Sequence, residues 1–491
     1  MKDTSPEALD AAVRAAHEAF RAGRQVDLST RASWLEAIAE GLAHDGPALV
    51  ATADRETSLG RPRLESELRR SIFQLQLFAS EVRQGEHLDA TIDHSDPAWG
   101  MGPRPDLRRV NQPLGVVGVF GASNFPFAFS VMGGDSASAL AAGCSVVHKA
   151  HEAHPDLAEQ TAQTVAAALE SAGAPAGLFS LVAGRAAGEH LVDHPLVKAI
   201  GFTGSTAGGR ALLQRAQSRP EPIPFYGELG GINAVFVTTA AWQQRREAIL
   251  KEYVGSFTLG MGQFCTKPGL LFVPATGGEE IRRVLLASLD GFTPTRLLSD
   301  GLLEGYRRAV TEVRGHAGVD VLVEGTFAPE PAPMVLHTTS SRVLADPELL
   351  RREMFGPASL IIEYDDESQL PALAQLLEGQ LTTTLQTAPG ETPSDLVDIL
   401  AGISGRVLWN GWPTGVTVSY AQHHGGPFPA TTSNTTSVGT AAIRRFLRPV
   451  SYQSFPLGLL PEPLRDDNPW GVPQRIDGRW HTVPSRQSAS V

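Results

Sequence analysis

The chain has 491 residues, of which 42% are hydrophobic and 19% are charged, a composition typical of globular proteins. At about 150 residues per domain, this length predicts about three domains. A net charge of −12 without a long Lys/Arg run argues against a nucleic-acid partner. No segment approaches the ~18 uninterrupted apolar residues of a membrane span, so we expect no membrane partner.

Cysteine and histidine usage indicates the compartment and the absence of a metal site. Two cysteines cannot build a disulfide framework, which favours a reducing, cytoplasmic location. The segment MKDTSPEALDAAV at the start of the chain lacks the apolar region of a secretory signal. Histidines cluster at residues 148–154 and 423–424, but no Cys or Asp set at ligand spacing accompanies them, so we expect no metal.

The N-terminal part of the chain predicts helices over residues 5–23, 30–43 and 63–84. In the first of them, Ser5 suits the N-cap and apolar residues recur at helical spacing. Residues 86–112 contain several Gly and Pro residues that break helices, and short strands fit there.

From Pro113 the pattern changes to alternating strands and helices. The apolar runs PLGVVGVFGA, CSVVHKA, GLFSLV and VKAIGFTG are typical of buried parallel strands. Together they predict a doubly wound sheet that binds a nucleotide at the carboxyl ends of its strands. The turn GSTAGG, Gly204 to Gly209, opens a helix whose first N–H groups suit a pyrophosphate, although many such turns bind no ligand.

Residues 255–269, GSFTLGMGQFCTKPG, contain Cys265 among several glycines, which let a ligand approach closely. A lone intracellular cysteine in such a loop is a candidate nucleophile, and the charge of Lys267 favours its thiolate. The alternative is a buried structural thiol, the interpretation we prefer for Cys144 in its apolar strand.

A second candidate, Glu228, lies in the segment FYGELGGIN between apolar runs. Partial desolvation raises the pKa of a carboxyl group toward the range of a general base. The alternative is an acid in a turn at the end of a strand. A further α/β section follows to about residue 410, and from Pro449 the chain becomes Pro-rich, which suits contact with a partner better than a core.

The motifs SNFPF, HKAHE, FTGS, ELGG, GQFCTKPG and EMFGP occur in an order that resembles the aldehyde dehydrogenase superfamily over nearly the whole chain. The C-terminal segment HHGGPFPATTSNTTSVG resembles its alpha-ketoglutaric semialdehyde (2,5-dioxovalerate) dehydrogenase group. The implied fold is α/β and aldehyde-dehydrogenase-like, and the protein is expected to be a homodimer or homotetramer. The implied domains are a doubly wound nucleotide-binding domain (residues 1–85 and 113–227), an α/β catalytic domain (228–430) and a small oligomerisation element with a tail (86–112 and 449–491).

The resemblance implies that Cys265 attacks an aldehyde carbon. The side-chain amide of Asn124 and the backbone N–H of Cys265 stabilise the oxyanion, and Glu228 activates the water that hydrolyses the thioester. From its own sequence context, Asn124 is equally compatible with a simple turn residue. Glu228 argues against an acylating relative that transfers the thioester to coenzyme A, because such an enzyme must exclude water.

Six residues match cofactor positions of the superfamily, namely Lys149, Glu152, Gly204, Ser205, Gly209 and Glu353. The resemblance assigns Lys149 and Glu353 to the two riboses and the Gly204–Ser205 turn to the pyrophosphate. An acid such as Glu152 binds ribose hydroxyls and repels a 2′-phosphate, whereas the neighbouring group favours NADP. We therefore expect use of both NAD and NADP.

The expected substrate is alpha-ketoglutaric semialdehyde, which is oxidised to 2-oxoglutarate and carries a remote carboxylate. Phe127, Phe264 and Trp412 are expected to form apolar walls of the substrate pocket. The sequence leaves the partner of the carboxylate open. The alternatives are a broad-specificity dehydrogenase of fatty or aromatic aldehydes and a catalytically silent binding protein on the same fold.

Overall fold

A computed structural model describes residues 1–327 and 330–482. Its helices are α1 (Pro6–Gly23), α2 (Leu28–His44), α3 (Gly46–Thr57), α4 (Arg61–Gln84), α5 (Gly134–Ala142), α6 (Pro155–Ser171), α7 (Arg185–Asp193), α8 (Thr206–Gln217), α9 (Thr239–Thr258), α10 (Gly278–Leu289), α11 (Asp300–Arg314), α12 (Ser340–Ala345), α13 (Leu370–Gln375) and α14 (Ser394–Ile403). Its strands are β1 (Ala90–Asp93), β2 (Leu107–Pro113), β3 (Val116–Phe120), β4 (Ser145–Lys149), β5 (Phe179–Val182), β6 (Val197–Thr203), β7 (Phe225–Glu228), β8 (Ala234–Val237), β9 (Leu270–Pro274), β10 (Asp320–Val323), β11 (Met334–Thr339), β12 (Ala358–Tyr364), β13 (Gln380–Gln386), β14 (Ser404–Trp409), β15 (Leu447–Gln453), β16 (Gln474–Ile476) and β17 (Arg479–His481). None of the helices in this described part is long and apolar enough to cross a membrane.

The first sheet confirms the parallel sheet predicted from the alternation of strands and helices. Its strands lie in the order β5-β4-β3-β6-β7, and every neighbouring pair is parallel. The central strand β3 is buried along its whole length, as expected for a strand covered on both faces. The strand order reverses between β3 and β6, which places a crevice suited to a nucleotide at their carboxyl ends.

A second sheet follows in the order β10-β11-β12-β9-β8-β13-β14. Its neighbouring strands are parallel except for the edge strand β10, which runs antiparallel to β11. Glu228 ends β7 of the first sheet, whereas Cys265 lies in the loop between α9 and β9 of the second. The two candidate catalytic residues therefore come from different sheets.

A third sheet joins two distant parts of the chain in the order β15-β2-β1-β16-β17. The strands β1 and β2 confirm the short strands predicted within residues 86–112, and the other three strands follow residue 446. The buried Arg108 on β2 is bonded to Asp106 and to Asp466, which fixes the C-terminal segment against the sheet.

The C-terminal segment is packed more deeply than the sequence suggested. Leu460, Leu464 and Val472 are buried in the same hydrophobic core as the N-terminal helices. The expectation that this Pro-rich segment contributes little to the core is therefore wrong, because its well-spaced large apolar residues pack inward between the prolines. Residues 483–491 of the predicted tail lie outside the described residues, and the division into domains stays a prediction.

The helical predictions at the N-terminus are correct in position and incomplete in number. The helix predicted over 5–23 is confirmed as α1. The one predicted over 30–43 starts two residues earlier, because Asp27 caps it, and ends one residue later at His44. Helix α3 has no counterpart in the prediction. Its start at Gly46 and Pro47 resembles a turn in sequence, although Pro is well tolerated in the first turn of a helix.

Candidate active site

Glu228 lies at the end of β7, and its side chain is only 3% exposed. Its Oε1 is 2.9 Å from Nε2 of His424, and its Oε2 accepts a hydrogen bond from the hydroxyl of Ser437 (2.7 Å). Burial alone raises the pKa of Glu228. The charge of His424 and hydrogen bonds from His424, Ser437 and Cys265 more than offset burial and hold this pKa below its ordinary value.

The prediction that the pKa of Glu228 is raised is therefore wrong in direction. The two hydrogen-bond partners of Glu228, His424 and Ser437, lie 196 and 209 residues further along the chain, so the local sequence contains no sign of them. The carboxylate is ionised at rest and is available as a base.

Cys265 follows a short 3-10 turn, Leu259–Gly262, in which tight backbone geometry is required. Gly262 has a φ of 66°, and a Cβ at this position would lie 2.1 Å from the carbonyl oxygen of Gly356. The Sγ of Cys265 lies 3.5 Å from Nε2 of His424. Burial and the nearby carboxylate of Glu228 raise the pKa of Cys265 well above its ordinary value, so the side chain is a thiol at rest and needs a base.

Lys267 does not have the role that the sequence suggested. Its Nζ is buried and donates to the carbonyl oxygens of Met354 (2.7 Å) and Ala358 (2.6 Å). The charge that lowers the pKa of Cys265 comes instead from Arg406, although burial outweighs it. The prediction that Lys267 favours the thiolate is therefore wrong, because this side chain fastens the backbone on either side of the Gly-Pro turn at 356–357.

Cys144 behaves as expected for a structural thiol. It is fully buried, and its Sγ lies 3.5 Å from the carbonyl oxygen of Phe446. Burial raises its pKa to about 11. The side chain of Cys144 is therefore an unreactive thiol near neutral pH.

His424 is the main residue that sequence reasoning missed, since histidines were considered only as metal ligands. It is 1% exposed, its backbone N–H donates to the hydroxyl of Thr436 (2.8 Å), and its carbonyl accepts from the N–H of Ser437 (2.8 Å). We assign the ring proton to Nε2, because that atom faces the carboxylate of Glu228. The pair HH within HHGGPFPA, a polar pair inside a glycine-rich loop, was the only signal of it in the sequence.

The ligating atoms of Glu228, Cys265 and His424 all lie within 4.8 Å of one another. Such a trio has the spacing of a metal site. Because the carboxylate already has two hydrogen-bond partners, we interpret the trio as a nucleophile with its base and positioning group. The expectation that the chain binds no metal stays a prediction.

Asn124 lies in the loop after β3, next to the loop of Cys265. Its Nδ2 donates to the carbonyl oxygen of Gln263 (3.0 Å), two residues before Cys265. The backbone carbonyl oxygen of Asn124 accepts a hydrogen bond from Nη2 of Arg63 on α4 (2.7 Å). The amide is thus held beside the nucleophile, where an oxyanion donor is needed, and its catalytic role stays a prediction.

A cavity of about 370 Å³ opens at the carboxyl ends of the first sheet. Four residues predicted for the cofactor line it, namely Lys149, Glu152, Gly204 and Ser205. Residues that were not predicted also line it, including His151, Arg185 and Gly208. Gly209 does not: a Cβ there would lie 2.1 Å from a methyl group of Leu229, so this glycine serves helix packing. Gly208 lines the cavity instead, and the cofactor contact predicted for Gly209 stays a prediction.

The chemistry of this cavity fits a dinucleotide. The Nζ of Lys149 lies 3.9 Å from the carboxylate of Glu152, so the cavity offers a donor and an acceptor of the kind that ribose hydroxyls bind, and the ribose contacts of these residues stay a prediction. Ser205 caps α8 by accepting from the N–H of Gly208 (3.3 Å), so the positive end of this helix lies at the cavity. This is the chemistry that the NAD(P) pyrophosphate requires.

Glu353 lines a separate, smaller cavity beside the ELGG turn. Its Oε2 would lie 2.8 Å from a Cβ at Gly230, so only glycine permits this close approach. Burial raises the pKa of Glu353 to about 7, and the charge of Lys267 partly opposes the change. The ribose contact predicted for Glu353 stays a prediction.

Aromatic side chains pack against one another near the nucleophile. Phe264 packs edge-on against Phe125 (5.2 Å between centroids), and Phe125 packs against Phe129 (5.3 Å). Phe127, by contrast, is buried in the hydrophobic core that also contains the N-terminal helices. The pocket contact predicted for Phe127 stays a prediction. Trp412 is fastened to α9 through a hydrogen bond from its ring nitrogen to Glu252 (2.8 Å).

Comparison with known proteins agrees with this geometry. Residues 1–447 match the sequence profile described as the aldehyde dehydrogenase family. This chain belongs to the aldehyde dehydrogenase family. Because that family oxidises aldehydes with NAD or NADP, the protein is an NAD(P)-dependent aldehyde dehydrogenase, and the expectations of fold, enzyme class and reaction type are confirmed.

The chain is similar to named relatives over most of its length. It is 45% identical to alpha-ketoglutaric semialdehyde dehydrogenase 2 of Azospirillum brasilense and 42% identical to alpha-ketoglutaric semialdehyde dehydrogenase of Acinetobacter baylyi. Each match covers 96% of this chain and 91% of the relative. The resemblance to that group is thereby confirmed.

Solved structures show the same fold at lower identity. A mutant of aldehyde dehydrogenase C from Pseudomonas syringae, complexed with NAD+ and octanal, is similar with a TM-score of 0.78 and 19% identity. The match covers 92% of this chain and 90% of that one. At this identity the likeness shows the fold of the aldehyde dehydrogenase and nothing about its substrate.

A first prediction concerns His424 and the pH profile. In a His424→Leu variant, Glu228 loses a donor while it stays buried, so its pKa rises and less of it is ionised at a given pH. We expect the acidic limb of the pH–kcat profile to move to higher pH, so that the loss of kcat is largest at acidic pH and shrinks as pH rises.

Two further variants make this test specific. His424→Gln keeps an N–H donor and should restore part of the shift. His423→Leu changes the adjacent, half-buried histidine and should leave the acidic limb in place. A uniform loss of activity at every pH in the His424→Leu enzyme contradicts the assigned role.

Proposed function

We propose that this aldehyde dehydrogenase oxidises alpha-ketoglutaric semialdehyde to 2-oxoglutarate with NAD or NADP. The observation that carries the chemistry is the contact of Cys265 with His424 and of His424 with Glu228. The substrate comes from the two relatives that are 45% and 42% identical over 96% of the chain. A pocket wall of aromatic rings also suits simple aldehydes, so the substrate needs its own test.

The proposed reaction begins with a proton transfer from the Cys265 thiol to the carboxylate of Glu228. The thiolate sulfur then forms a bond to the aldehyde carbon, and the carbonyl oxygen becomes an oxyanion. The backbone N–H of Cys265 and the amide of Asn124, once it turns from Gln263, donate to this oxyanion. Held at the cavity of Lys149, Glu152 and Ser205, NAD(P)+ would supply the hydride acceptor, and loss of the hydride from this carbon would leave a thioester on the sulfur.

Hydrolysis of the thioester completes the cycle. The proton that Glu228 took from Cys265 first leaves to bulk water, which restores the carboxylate. Glu228 then takes a proton from the attacking water, the hydroxide adds to the thioester carbon, and the carbon–sulfur bond breaks to release the carboxylic acid while the proton on Glu228 passes to the thiolate sulfur. The thiol of Cys265 is regenerated. In this scheme His424 and Ser437 keep Glu228 ionised and oriented, and they exchange no atoms with the substrate.

We propose that both coenzymes are used, because acidic and basic side chains lie at the same cavity. Glu152 is 74% exposed there and favours free ribose hydroxyls. Arg185 is 89% exposed at the same cavity, where its Nε lies 3.3 Å from Glu189, and its guanidinium can pair with a phosphate. The two charges oppose each other in the choice between NAD and NADP.

The assembly and the location are also proposals. We infer a homodimer or homotetramer formed through the oligomerisation element, residues 86–112 and 449–491. Exposed apolar residues in this part of the chain, Leu457, Leu459 and Trp480, support this assignment. The proposed domain boundaries and a cytoplasmic location follow from the sequence.

The substrate proposal predicts a clear preference. The kcat/KM for alpha-ketoglutaric semialdehyde should exceed that for pentanal and for benzaldehyde by at least about 100-fold, because a polar site discriminates strongly against ligands without the matching group. The measurement is the initial rate of NAD(P)H formation with each aldehyde. Equal values for pentanal or benzaldehyde contradict the substrate and favour a broad-specificity enzyme.

The coenzyme proposal predicts the effect of Glu152→Thr. Removal of a carboxylate that repels the 2′-phosphate should raise the ratio of kcat/KM for NADP to that for NAD by about ten-fold. The matched control is Glu159→Thr, which removes an exposed acid on α6. No change in the ratio, or the same change in both variants, shows that Glu152 does not face the ribose.

A further inference from the structure

Helix α4 presents three charged residues to the catalytic loops. Arg63, Glu67 and Arg70 are spaced by four and three residues, so they lie on one face of the helix. This face contacts the loop after β3 that contains Asn124. Two arginines and one acid leave this face with an excess of positive charge next to the active site.

The carboxyl group of Glu67 holds the loop through hydrogen bonds. Its Oε1 accepts from the backbone N–H groups of Phe127 (2.8 Å) and Ala128 (2.9 Å), and the side chain is buried. Its Oε2 has no hydrogen-bond partner within the described chain. Glu67 therefore organises the loop and leaves the guanidinium groups beside it without a direct hydrogen bond.

Arg63 is committed to the catalytic loops. Its Nη2 donates to the carbonyl oxygen of Asn124 (2.7 Å), although its Nε and Nη1 lack an acceptor among residues 1–327 and 330–482. Its Cζ lies 5.2 Å from the ring centroid of Phe125 and 4.8 Å from that of Phe264. This arginine fixes the oxyanion residue relative to the aromatic wall.

Arg70, unlike Arg63, donates no hydrogen bond from its terminal nitrogens to any described residue. Its Cζ lies 5.2 Å from the ring centroid of Phe129, whose ring in turn packs 6.1 Å from that of His424. Both terminal nitrogens, Nη1 and Nη2, are buried, and neither finds an acceptor in the described part of the chain. A buried cation without an acceptor is unfavourable, and an anionic ligand relieves that cost.

Three other polar side chains of the catalytic domain already have hydrogen-bond partners. Arg406 donates to the carbonyl oxygens of Pro413 (2.7 Å) and Gly415 (3.0 Å). The amide oxygen of Asn410 accepts from the N–H of Thr387 (2.8 Å), and Thr414 donates to the carbonyl of Ser256 (3.0 Å). Arg70 is thus the cation near the nucleophile whose terminal donors are uncommitted within the described residues.

We propose that Arg70 is the anchor for a carboxylate at the end of the aldehyde substrate remote from the reacting carbon. The inference rests on the proposed aldehyde oxidation and names the residue that selects anionic aldehydes. The two terminal N–H groups of a guanidinium match the two oxygens of a carboxylate. Binding at Arg70 places the rest of the substrate along the ring of Phe129, toward His424 and Cys265.

The test compares Arg70→Met and Arg70→Lys with the wild type on two aldehydes of equal length. In Arg70→Met, kcat/KM for alpha-ketoglutaric semialdehyde should fall by about 100-fold, mainly through KM, since two charge-assisted hydrogen bonds are lost. The value for pentanal should fall by less than about three-fold. Arg70→Lys keeps the charge without the paired donors and should lie between the two.

Two matched arginines control for position. Arg69→Met changes the exposed neighbour on α4 and should leave the selectivity ratio unchanged. Arg63→Met loosens the loop of Asn124 and should lower kcat for both aldehydes alike. An unchanged selectivity ratio in Arg70→Met overturns the proposal, whether both aldehydes lose activity equally or neither does. Equal losses would show that Arg70 only balances the charge of Glu67.

Inhibition by glutarate separates this inference from the proposed substrate. Glutarate carries the remote carboxylate but no aldehyde, so it should compete with pentanal in the wild type and lose at least about ten-fold in affinity in Arg70→Met. If the wild type does not prefer the semialdehyde but glutarate inhibition still depends on Arg70, the substrate proposal fails and the anion site stands. Glutarate inhibition that is equal in both proteins overturns the anion site.

Discussion

The buried hydrogen bond between Glu228 and His424 is the interaction on which the site depends. It joins the end of the first sheet to the loop that follows the second sheet, across 196 residues of chain. Ser437 completes it from the same loop as His424. Without these donors, a carboxylate at 3% exposure would be protonated more readily and would lose its value as a base.

Each charged side chain around this hydrogen bond has different contacts. Burial keeps Cys265 protonated until a base acts on it, which protects the thiol between turnovers. The cations nearby mostly hold backbone: Lys267 fastens residues 354–358, and Arg406 fastens the loop at 413–415. Arg70 stands apart from them because its terminal donors are left without an acceptor in the described structure.

The features that depend on residues close together in the chain could be predicted from the sequence. The buried strands of the first sheet, the loop of Cys265 and the crevice for the coenzyme all follow from apolar runs, glycines and the strand order. The direction of the pKa of Glu228 did not, because His424 and Ser437 reach it from far along the chain. The same limit explains the error at Lys267, whose ammonium group donates to carbonyl oxygens of residues far along the chain.

The central claim is that Cys265 carries an acyl intermediate whose hydrolysis requires Glu228. The most direct measurement mixes a Glu228→Gln variant rapidly with coenzyme and alpha-ketoglutaric semialdehyde, follows NAD(P)H, and then determines the intact mass of the protein. The account predicts a first release of NAD(P)H that is slower than in the wild type, because a glutamine cannot take the proton of Cys265. This release should stop near one NAD(P)H per active site, steady turnover should be strongly reduced, and Cys265 should carry an acyl group that is absent in a Cys265→Ala protein. Steady turnover equal to that of the wild type, or a burst without an acyl group on Cys265, would contradict it.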